Sequence, residues 1–150
     1  MTEIVATADA LSQFGHDPAT GAFFESLFAL SNGTLGLRAT IDHDCPRAIP
    51  GAFHSMLYAP SLTVRREIVN LPNWGALGIP GTRLRSFERR LGYGDAVLVS
   101  KAELEGPGGL VLRMHRNDCV DAARADQSLC WGEIEVLEGC GHFSLQALVD

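Results

Sequence analysis

The stretch Glu25-Ser-Leu-Phe-Ala-Leu-Ser-Asn-Gly-Thr-Leu-Gly-Leu-Arg-Ala-Thr40 places a short apolar segment on each side of Asn32-Gly33. Type I′ hairpin turns need φ > 0 at both central residues, and Asn-Gly meets this need at the lowest steric cost. Apolar residues recur at every second position on both sides of the turn: Phe28, Leu30, Leu35 and Leu37. This period of two predicts a β-hairpin with one face directed at a core.

The composition is typical of one globular domain. The chain has 150 residues, of which 46% are hydrophobic and 20% charged. Its net charge of −6 argues against a nucleic-acid partner or an anionic membrane surface. The N-terminus lacks a basic segment followed by an apolar run, and no apolar run reaches the ~18 residues that span a bilayer. We therefore expect a cytoplasmic protein.

Cysteine spacing and one acidic loop bear on metal binding. Cys45, Cys119, Cys130 and Cys140 form no Cys-x-x-Cys pair, so we expect reduced thiols, with Cys119 and Cys130 in or near the core. The loop Asp42-His-Asp-Cys45 holds four possible ligands. A closed metal site usually draws its ligands from separate segments, which favours a solvated loop here. We expect neither a metal nor a cofactor.

The rest of the chain reads as further β-structure. Segments with a period of two, bounded by turn residues, predict strands at 52–58, 68–71, 75–79, 82–85, 96–104, 110–115, 129–138 and 142–149. We expect the 68–71 strand to be buried. Pro80-Gly81 predicts a hairpin, and Gly139-Cys-Gly141 is expected to pair the last two segments. For residues 1–13 a short helix and an irregular arm both fit. Short strands at this spacing predict an all-β, antiparallel β-sandwich.

Three sets of residues admit a functional and a structural interpretation. Trp74 suits a sugar-stacking platform, but a core position is the commoner fate. Arg83, Arg85, Arg89 and Arg90 suit a phosphate, yet no glycine-rich loop accompanies them, which favours outward faces of exposed strands. A glycosidase pair of carboxylates is conceivable among five acids, but their spacing is typical of a solvated face: Asp121, Asp126, Glu133, Glu135 and Glu138.

Two motifs together resemble glycoside hydrolase family 65. They are the stretch from Glu25 to Arg38, and Gly51-Ala-Phe followed by Glu67-Ile-Val-Asn-Leu-Pro-Asn-Trp74. The order of segments from Leu110 to Asp150 resembles the family more weakly. The chain departs from the family pattern at three positions, where glycine, an aromatic residue and glycine are usual: Ser31, Thr34 and Ala39.

The resemblance implies an N-terminal β-sandwich of the galactose-mutarotase-like type. In the family this domain precedes an (α/α)6 barrel that holds the catalytic acid and the phosphate site. The expected organisation is therefore an N-terminal arm at 1–14 and a partial sandwich at 15–150, without the catalytic barrel. The family sandwich borders the mouth of the active site, which makes four residues candidates for carbohydrate binding: Asn32, Arg38, Asn73 and Trp74.

The function expected from the resemblance is that of a non-catalytic part of an inverting α-glucoside phosphorylase or a related hydrolase. Its substrate would be an α-linked disaccharide, with inorganic phosphate as co-substrate in a phosphorylase. We expect no catalytic residue in this chain. Its expected partner is a catalytic domain or a second copy of the chain. The alternative is a stand-alone carbohydrate-binding or protein-interaction module.

Overall fold

The computed structural model describes residues 2–41, 51–60, 66–72 and 76–148. In these ranges the chain forms one α-helix, α1 (Gly21–Leu27), and twelve β-strands. The strands are β1 (Glu3–Ala6), β2 (Ala10–Phe14), β3 (Leu30–Ser31), β4 (Leu35–Leu37), β5 (Ala52–Ala59), β6 (Glu67–Leu71), β7 (Ala76–Gly78), β8 (Arg83–Gly92), β9 (Leu98–Glu105), β10 (Val111–Val120), β11 (Ser128–Glu138) and β12 (Gln146–Leu148).

The strands form three sheets, and every pairing among them is antiparallel. The largest sheet has the order β1-β2-β8-β9-β10-β11, the second the order β3-β4-β5-β6, and the smallest pairs β12 with β7. A short 3₁₀ turn at Pro107–Gly109 joins β9 to β10. The prediction of an all-β, antiparallel, sandwich-like fold is confirmed.

Two apolar clusters hold the layers together. In the first, Ile41 and Ile79 pack on the inner face of the six-stranded sheet, against Phe87, Ala102, Leu104, Leu110 and Leu112. In the second, Phe28, Leu30 and Ala39 pack on Leu98. Burying one leucine, isoleucine or phenylalanine side chain contributes about 1.5–3 kcal/mol to stability. The hairpin of β3 and β4 is therefore held down on the large sheet by residues at both of its ends.

The stretch from Glu25 to Thr40 forms the predicted hairpin, but it begins as a helix. Glu25 lies in α1, and the strand starts only at Leu30. The Arg38 guanidinium stabilises this helix, because its Nη2 donates to the carbonyl of Ala22 at 2.8 Å and lies 3.4 Å from Oε2 of Glu25. Ala22 and Glu25 precede Arg38 by 16 and 13 residues. The alternation of apolar residues within the stretch therefore could not predict these contacts.

The turn at the tip is not the predicted type I′. Gly33 has φ +88°, whereas Asn32 has no positive φ. Instead, Oδ1 of Asn32 accepts hydrogen bonds from the backbone N–H groups of Thr34 at 3.0 Å and Leu35 at 2.8 Å. A side chain that closes the turn removes the need for a left-handed Asn. Ala39 has no positive φ either, so alanine is unstrained where the family usually has glycine.

Two predicted pairings are wrong. Pro80-Gly81 does not close a hairpin, because β7 pairs with β12 while the following β8 pairs with β2 and β9. Likewise, the last segment does not pair with β11: Gln146 lies opposite Gly78. Turn residues indicate where the chain changes direction, but they do not indicate which strand becomes the neighbour. Here both turns carry the chain from one sheet to another.

Three local predictions also differ from the structure. Residues 3–14 form the hairpin of β1 and β2, in which Oγ1 of Thr7 accepts from the Ala10 N–H at 3.1 Å, so neither a helix nor an irregular arm is correct. The predicted strand at 68–71 is present, but Ile68 is 54% exposed on an edge strand. Cys119 is half-buried, whereas Cys130 is exposed on the edge strand β11.

Candidate functional site

A cavity of about 270 Å³ lies between the β3–β4 hairpin and the inner face of the six-stranded sheet. Its wall combines apolar side chains with polar residues from both the hairpin and the sheet. The hairpin side contributes Arg38 and Thr40, and the sheet side contributes Arg89, Ser100, Arg116, Asp118 and Ser128. Concave, mostly apolar sites with a few convergent polar groups are the usual form of a small-molecule site.

One cross-strand row supplies most of the polar groups on the sheet. The register places Gln13, Arg89, Ser100, Arg116 and Gly132 opposite one another on five neighbouring strands. Residues of one row share one face of a sheet. Apart from Asp118 and Cys130, the neighbouring rows on this face are apolar, so the row is a polar stripe within the core.

Arg89 is the most buried charged group of this stripe, with 3% exposure. Its Nε donates to Oε1 of Gln13 at 2.7 Å, and its Nη1 donates to the Ala39 carbonyl at 2.7 Å. The guanidinium carbon also lies 4.4 Å from the ring centroid of Phe28. The prediction of an outward face is therefore wrong for Arg89, although Arg83, Arg85 and Arg90 are exposed as expected.

Arg89 also affects a nearby imidazole. Burial of His16 lowers its pKa, and the charge of Arg89 lowers it further. The carboxylates of Asp17 and Glu25 act in the opposite direction but do not reverse the shift. Neutral His16 is therefore favoured beside the buried cation.

Arg116 and Asp118 form a charged pair in the cavity wall. Nε of Arg116 lies 2.8 Å from Oδ2 and 3.0 Å from Oδ1 of Asp118, and Nη2 lies 2.8 Å from Oδ1. The side chains are only 14% and 16% exposed. Such a planar pair offers both donors and acceptors of charge-assisted hydrogen bonds. Residues two apart on one strand lie on the same face, so their spacing could have indicated this pair from the sequence, but the pair was not predicted.

The predicted residue Arg38 lies in the cavity wall. Besides its contacts to α1, its main-chain N–H donates to the Gly51 carbonyl at 2.8 Å. Its main-chain carbonyl accepts from the Thr40 N–H at 2.9 Å, a tight turn centred on Ala39. This turn places Arg38 and Thr40 side by side on the cavity wall. The structure thus brings one of the four predicted residues to the cavity.

The predicted residue Asn32 lies at the tip of the hairpin, where it joins the hairpin to the connection between β10 and β11. Its Nδ2 donates to the carbonyl oxygens of Asp121 at 2.8 Å and Ala125 at 3.2 Å. With its Oδ1 closing the turn, Asn32 acts as a clip between two loops. Asn73 and Trp74 lie outside the described residues, as does the loop from Asp42 to Cys45.

The arrangement of carboxylates limits the chemistry of the cavity. Among the described residues of the wall, Asp118 is the single acid, and Arg116 engages both of its oxygens. Glycosidases use two carboxyl groups on either side of the scissile bond. Oδ1 of Asp121 is occupied in a turn with the N–H of Ala123 at 2.8 Å. The other acids considered from the sequence are exposed: Asp126, Glu133, Glu135 and Glu138.

Metal ligands and membrane-spanning helices can be assessed for the described part of the chain. No three His, Cys, Asp or Glu side chains in it are grouped closely enough to hold a metal ion. None of its helices is long and apolar enough to cross a membrane.

Comparison with known proteins places the chain in a family. The model of glycosyl hydrolase family 65, N-terminal domain, matches residues 11–150. Kojibiose phosphorylase of Caldanaerobacter subterraneus subsp. tengcongensis is 30% identical over 100 residues, which are 61% of this chain and 13% of that protein.

A solved structure, described as "Putative kojibiose phosphorylase from human microbiome", shares the fold with a TM-score of 0.73. The match has 15% identity and covers 89% of this chain and 20% of that chain. The chain thus spans a small part of the length of both relatives. Because the family model covers most of its residues, the chain belongs to glycosyl hydrolase family 65, in the N-terminal domain of that family.

Proposed function

We propose that this chain is a non-catalytic β-sandwich part of an enzyme that cleaves α-linked disaccharides, by phosphorolysis or by hydrolysis. The relatives it matches are phosphorylases of one such sugar, and the chain corresponds to 13% and 20% of their lengths. In a phosphorylase, inorganic phosphate would be the co-substrate. The enzyme would act in the cytoplasm, where sugar phosphates are metabolised.

The observation that carries this proposal is the family match over residues 11–150, read together with the cavity. The described wall of that cavity holds one carboxylate, and Arg116 already neutralises it at 2.8 Å. Glycosidases use a pair of carboxyl groups on either side of the scissile bond. The described residues therefore supply a binding surface and no acid–base pair.

The clip formed by Asn32 suggests what the sandwich does for the enzyme. A loop that borders an active site must keep its shape, and hydrogen bonds from both ends of one amide hold this hairpin tip to residues 121–125. We propose that the tip borders the mouth of the catalytic domain, with Arg38, Asn73 and Trp74 as sugar contacts. Positioning of this kind affects KM and kcat without any chemical step in the sandwich.

The edge strand β11 offers a surface for a partner. Leu129, Trp131 and Val136 are each at least half exposed along it. Unpaired edges with apolar side chains readily pair with another chain. We propose that this edge contacts the catalytic part of the enzyme or a second copy of the chain. Size-exclusion chromatography with light scattering should show a concentration-dependent dimer of the 16.1 kDa chain, and a monomer at every concentration would exclude self-pairing.

A direct assay tests the lack of catalysis. The purified chain is incubated with a panel of α-linked glucose disaccharides, with and without inorganic phosphate, and free glucose and glucose 1-phosphate are measured. We expect no product above a heat-denatured control, while a full-length kojibiose phosphorylase run in parallel gives product with its own sugar. Release of either product by the chain alone would refute the proposal.

The cavity favours a second candidate, a stand-alone carbohydrate-binding module. It has apolar walls and a charged pair of donors and acceptors, as a sugar site requires. Ligand-detected NMR during titration with α-glucosides distinguishes this candidate. It is preferred to the fluorescence of Trp131, because Trp131 alternates with the cavity-lining Cys130 on β11 and so lies on the other face of the sheet. No response to a broad panel of sugars would count against it.

A further inference from the structure

The edge strand β11 begins with an uncharged segment, Ser128-Leu-Cys-Trp-Gly132. On one side this segment pairs with β10 along its whole length, and on the other side β11 is the last strand of the six-stranded sheet. The strands β1 and β6 are also edge strands, and each begins with a glutamate. Charged side chains along an edge are a common protection against pairing with another chain. The segment 128–132 lacks that protection.

The segment presents apolar side chains on one face of the sheet. Leu129 is 55% and Trp131 is 50% exposed. Because residues two apart on a strand share a face, both lie on the outer face, while Cys130 lies on the inner face in the cavity wall. A strand added at this edge would therefore cover an exposed aromatic and an exposed aliphatic side chain.

The charges that flank the segment restrict which strand can be added. Glu133 and Glu135 continue the outer face after Trp131. In an antiparallel pair of two copies, a register centred on Glu133 would place this carboxylate opposite itself, and like charges directly opposite each other are destabilising. A register centred on Gly132 would place Glu133 opposite Trp131 and Glu135 opposite Leu129.

A register centred on Cys130 avoids these contacts. It places Leu129 of each copy opposite Trp131 of the other, and Glu133 opposite the uncharged Gln127. Cross-strand pairs of an aromatic and an aliphatic residue stabilise a sheet. The arrangement also closes on itself, because the same segment serves as both partners about a twofold axis, whereas β11 paired with β1 of another copy would leave edges for further copies.

We propose that β11 pairs antiparallel with β11 of a second copy of this chain, in a register centred on Cys130. The inference rests on the proposed function, since it commits to one of the two partners proposed there for this edge. The paired segment is short, so the interface is small and the dimer is expected to dissociate at micromolar concentrations or above.

Sedimentation equilibrium of the intact chain over a wide range of concentrations measures the dimer. The informative variants are Leu129→Lys and Trp131→Lys, each of which places a charge on the exposed edge. The matched control is Ile68→Lys, because Ile68 is 54% exposed on the edge strand β6 of the other sheet. Each β11 variant should raise the dissociation constant about tenfold or more, since one substitution changes two symmetry-related contacts. The control should leave it unchanged.

Chemical cross-linking tests the register. In a Cys140→Ser variant, Cys130 is the one cysteine that follows Arg124 in the sequence. A short bismaleimide should then join two copies of the tryptic peptide that begins at Ala125, which mass spectrometry identifies. The cross-link should be lost in Cys130→Ser and strongly reduced when Trp131→Lys is added.

Three results would overturn the proposal. They are a monomer at every concentration, a dimer that Ile68→Lys weakens as much as the two β11 variants do, and a dimer without a cross-link through Cys130. These outcomes are distinct from failure of the proposed function. Catalysis by the isolated chain would refute that function and leave the dimer intact, whereas a monomeric chain would refute the dimer and leave the non-catalytic role intact.

Discussion

Asn32 performs two structural tasks with the two ends of one amide, and two substitutions separate them. Its Oδ1 closes the hairpin turn by accepting from Thr34 and Leu35, and its Nδ2 donates to the carbonyls of Asp121 and Ala125. Asn32→Asp keeps the acceptor that closes the turn but replaces the donor with a second carboxylate oxygen. Asn32→Ala removes both tasks.

The expected magnitudes follow from these contacts. A neutral hydrogen bond contributes about 0.5–1.5 kcal/mol net to the free energy of unfolding. The two bonds to the turn share Oδ1 of Asn32, and the two bonds to the loop share its Nδ2. Asn32→Ala should therefore lower the free energy of unfolding by about 2–3 kcal/mol. Asn32→Asp should lower it by about 1–3 kcal/mol, since a carboxylate then faces two carbonyl oxygens that have lost their donor.

Urea denaturation at pH 7 measures the change in stability, and amide hydrogen exchange locates it. In Asn32→Asp, faster exchange should be confined to the 121–127 connection, for example at the Gln127 N–H that bonds the Arg124 carbonyl at 3.1 Å. In Asn32→Ala, the Leu35 N–H should also exchange faster. If Asn32→Asp left both stability and exchange of the connection unchanged, the clip would not exist and the argument would be refuted.

Three further predictions test the buried stripe and the turn. Arg89→Met should cost about 3–5 kcal/mol in urea denaturation, since Gln13 and the Ala39 carbonyl lose a charged donor, whereas Arg90→Met on the exposed face should change stability by less than ~0.5 kcal/mol. The pKa of His16 is lowered in the folded state, so the urea midpoint should fall as the pH drops below ~6.5, and His16→Gln should reduce this dependence. Gly33→Ala should lower the free energy of unfolding by about 1 kcal/mol in thermal unfolding, because Gly33 has φ +88°. Gly36→Ala should cost less, because Gly36 has no positive φ and a Cβ there meets open space. Equal losses in both glycine variants would exclude backbone strain as the cause.

Strand positions were accessible from the sequence because side-chain alternation is a local property. The segments predicted at 52–58, 96–104 and 129–138 follow it, and each contains a strand in the structure, although β9 begins only at Leu98. The helix α1 was missed because its seven residues precede the hairpin within an apolar run, and Arg38 stabilises it from outside that run. Local preference is a weak guide where a distant side chain satisfies the helix carbonyls.

The candidate site shows the same division between local and distant information. Arg38 was selected because it belongs to the family motif, and it lies in the cavity wall. Arg116 and Asp118 share a strand face, so their spacing carried a signal, but only the register with β9 shows that they lie beside Ser100 and Leu98 in the cavity wall. Arg89 resembled its exposed neighbours in an arginine-rich segment, and only its packing on Phe28 separates it from them.

The sequence by itself determined the β-rich class, the turn positions and the family, since alternation, Gly and Pro turns and the stretch from Glu25 to Arg38 are local patterns. Only the tertiary structure decided that β7 pairs with β12, that Asn32 clips two loops together, and that Arg38 and Thr40 line a cavity between the hairpin and the sheet. The physical reason is that hydrogen-bond partners and burial depend on residues far apart in the chain. In an antiparallel sheet the register sets those partners, and no single segment contains it.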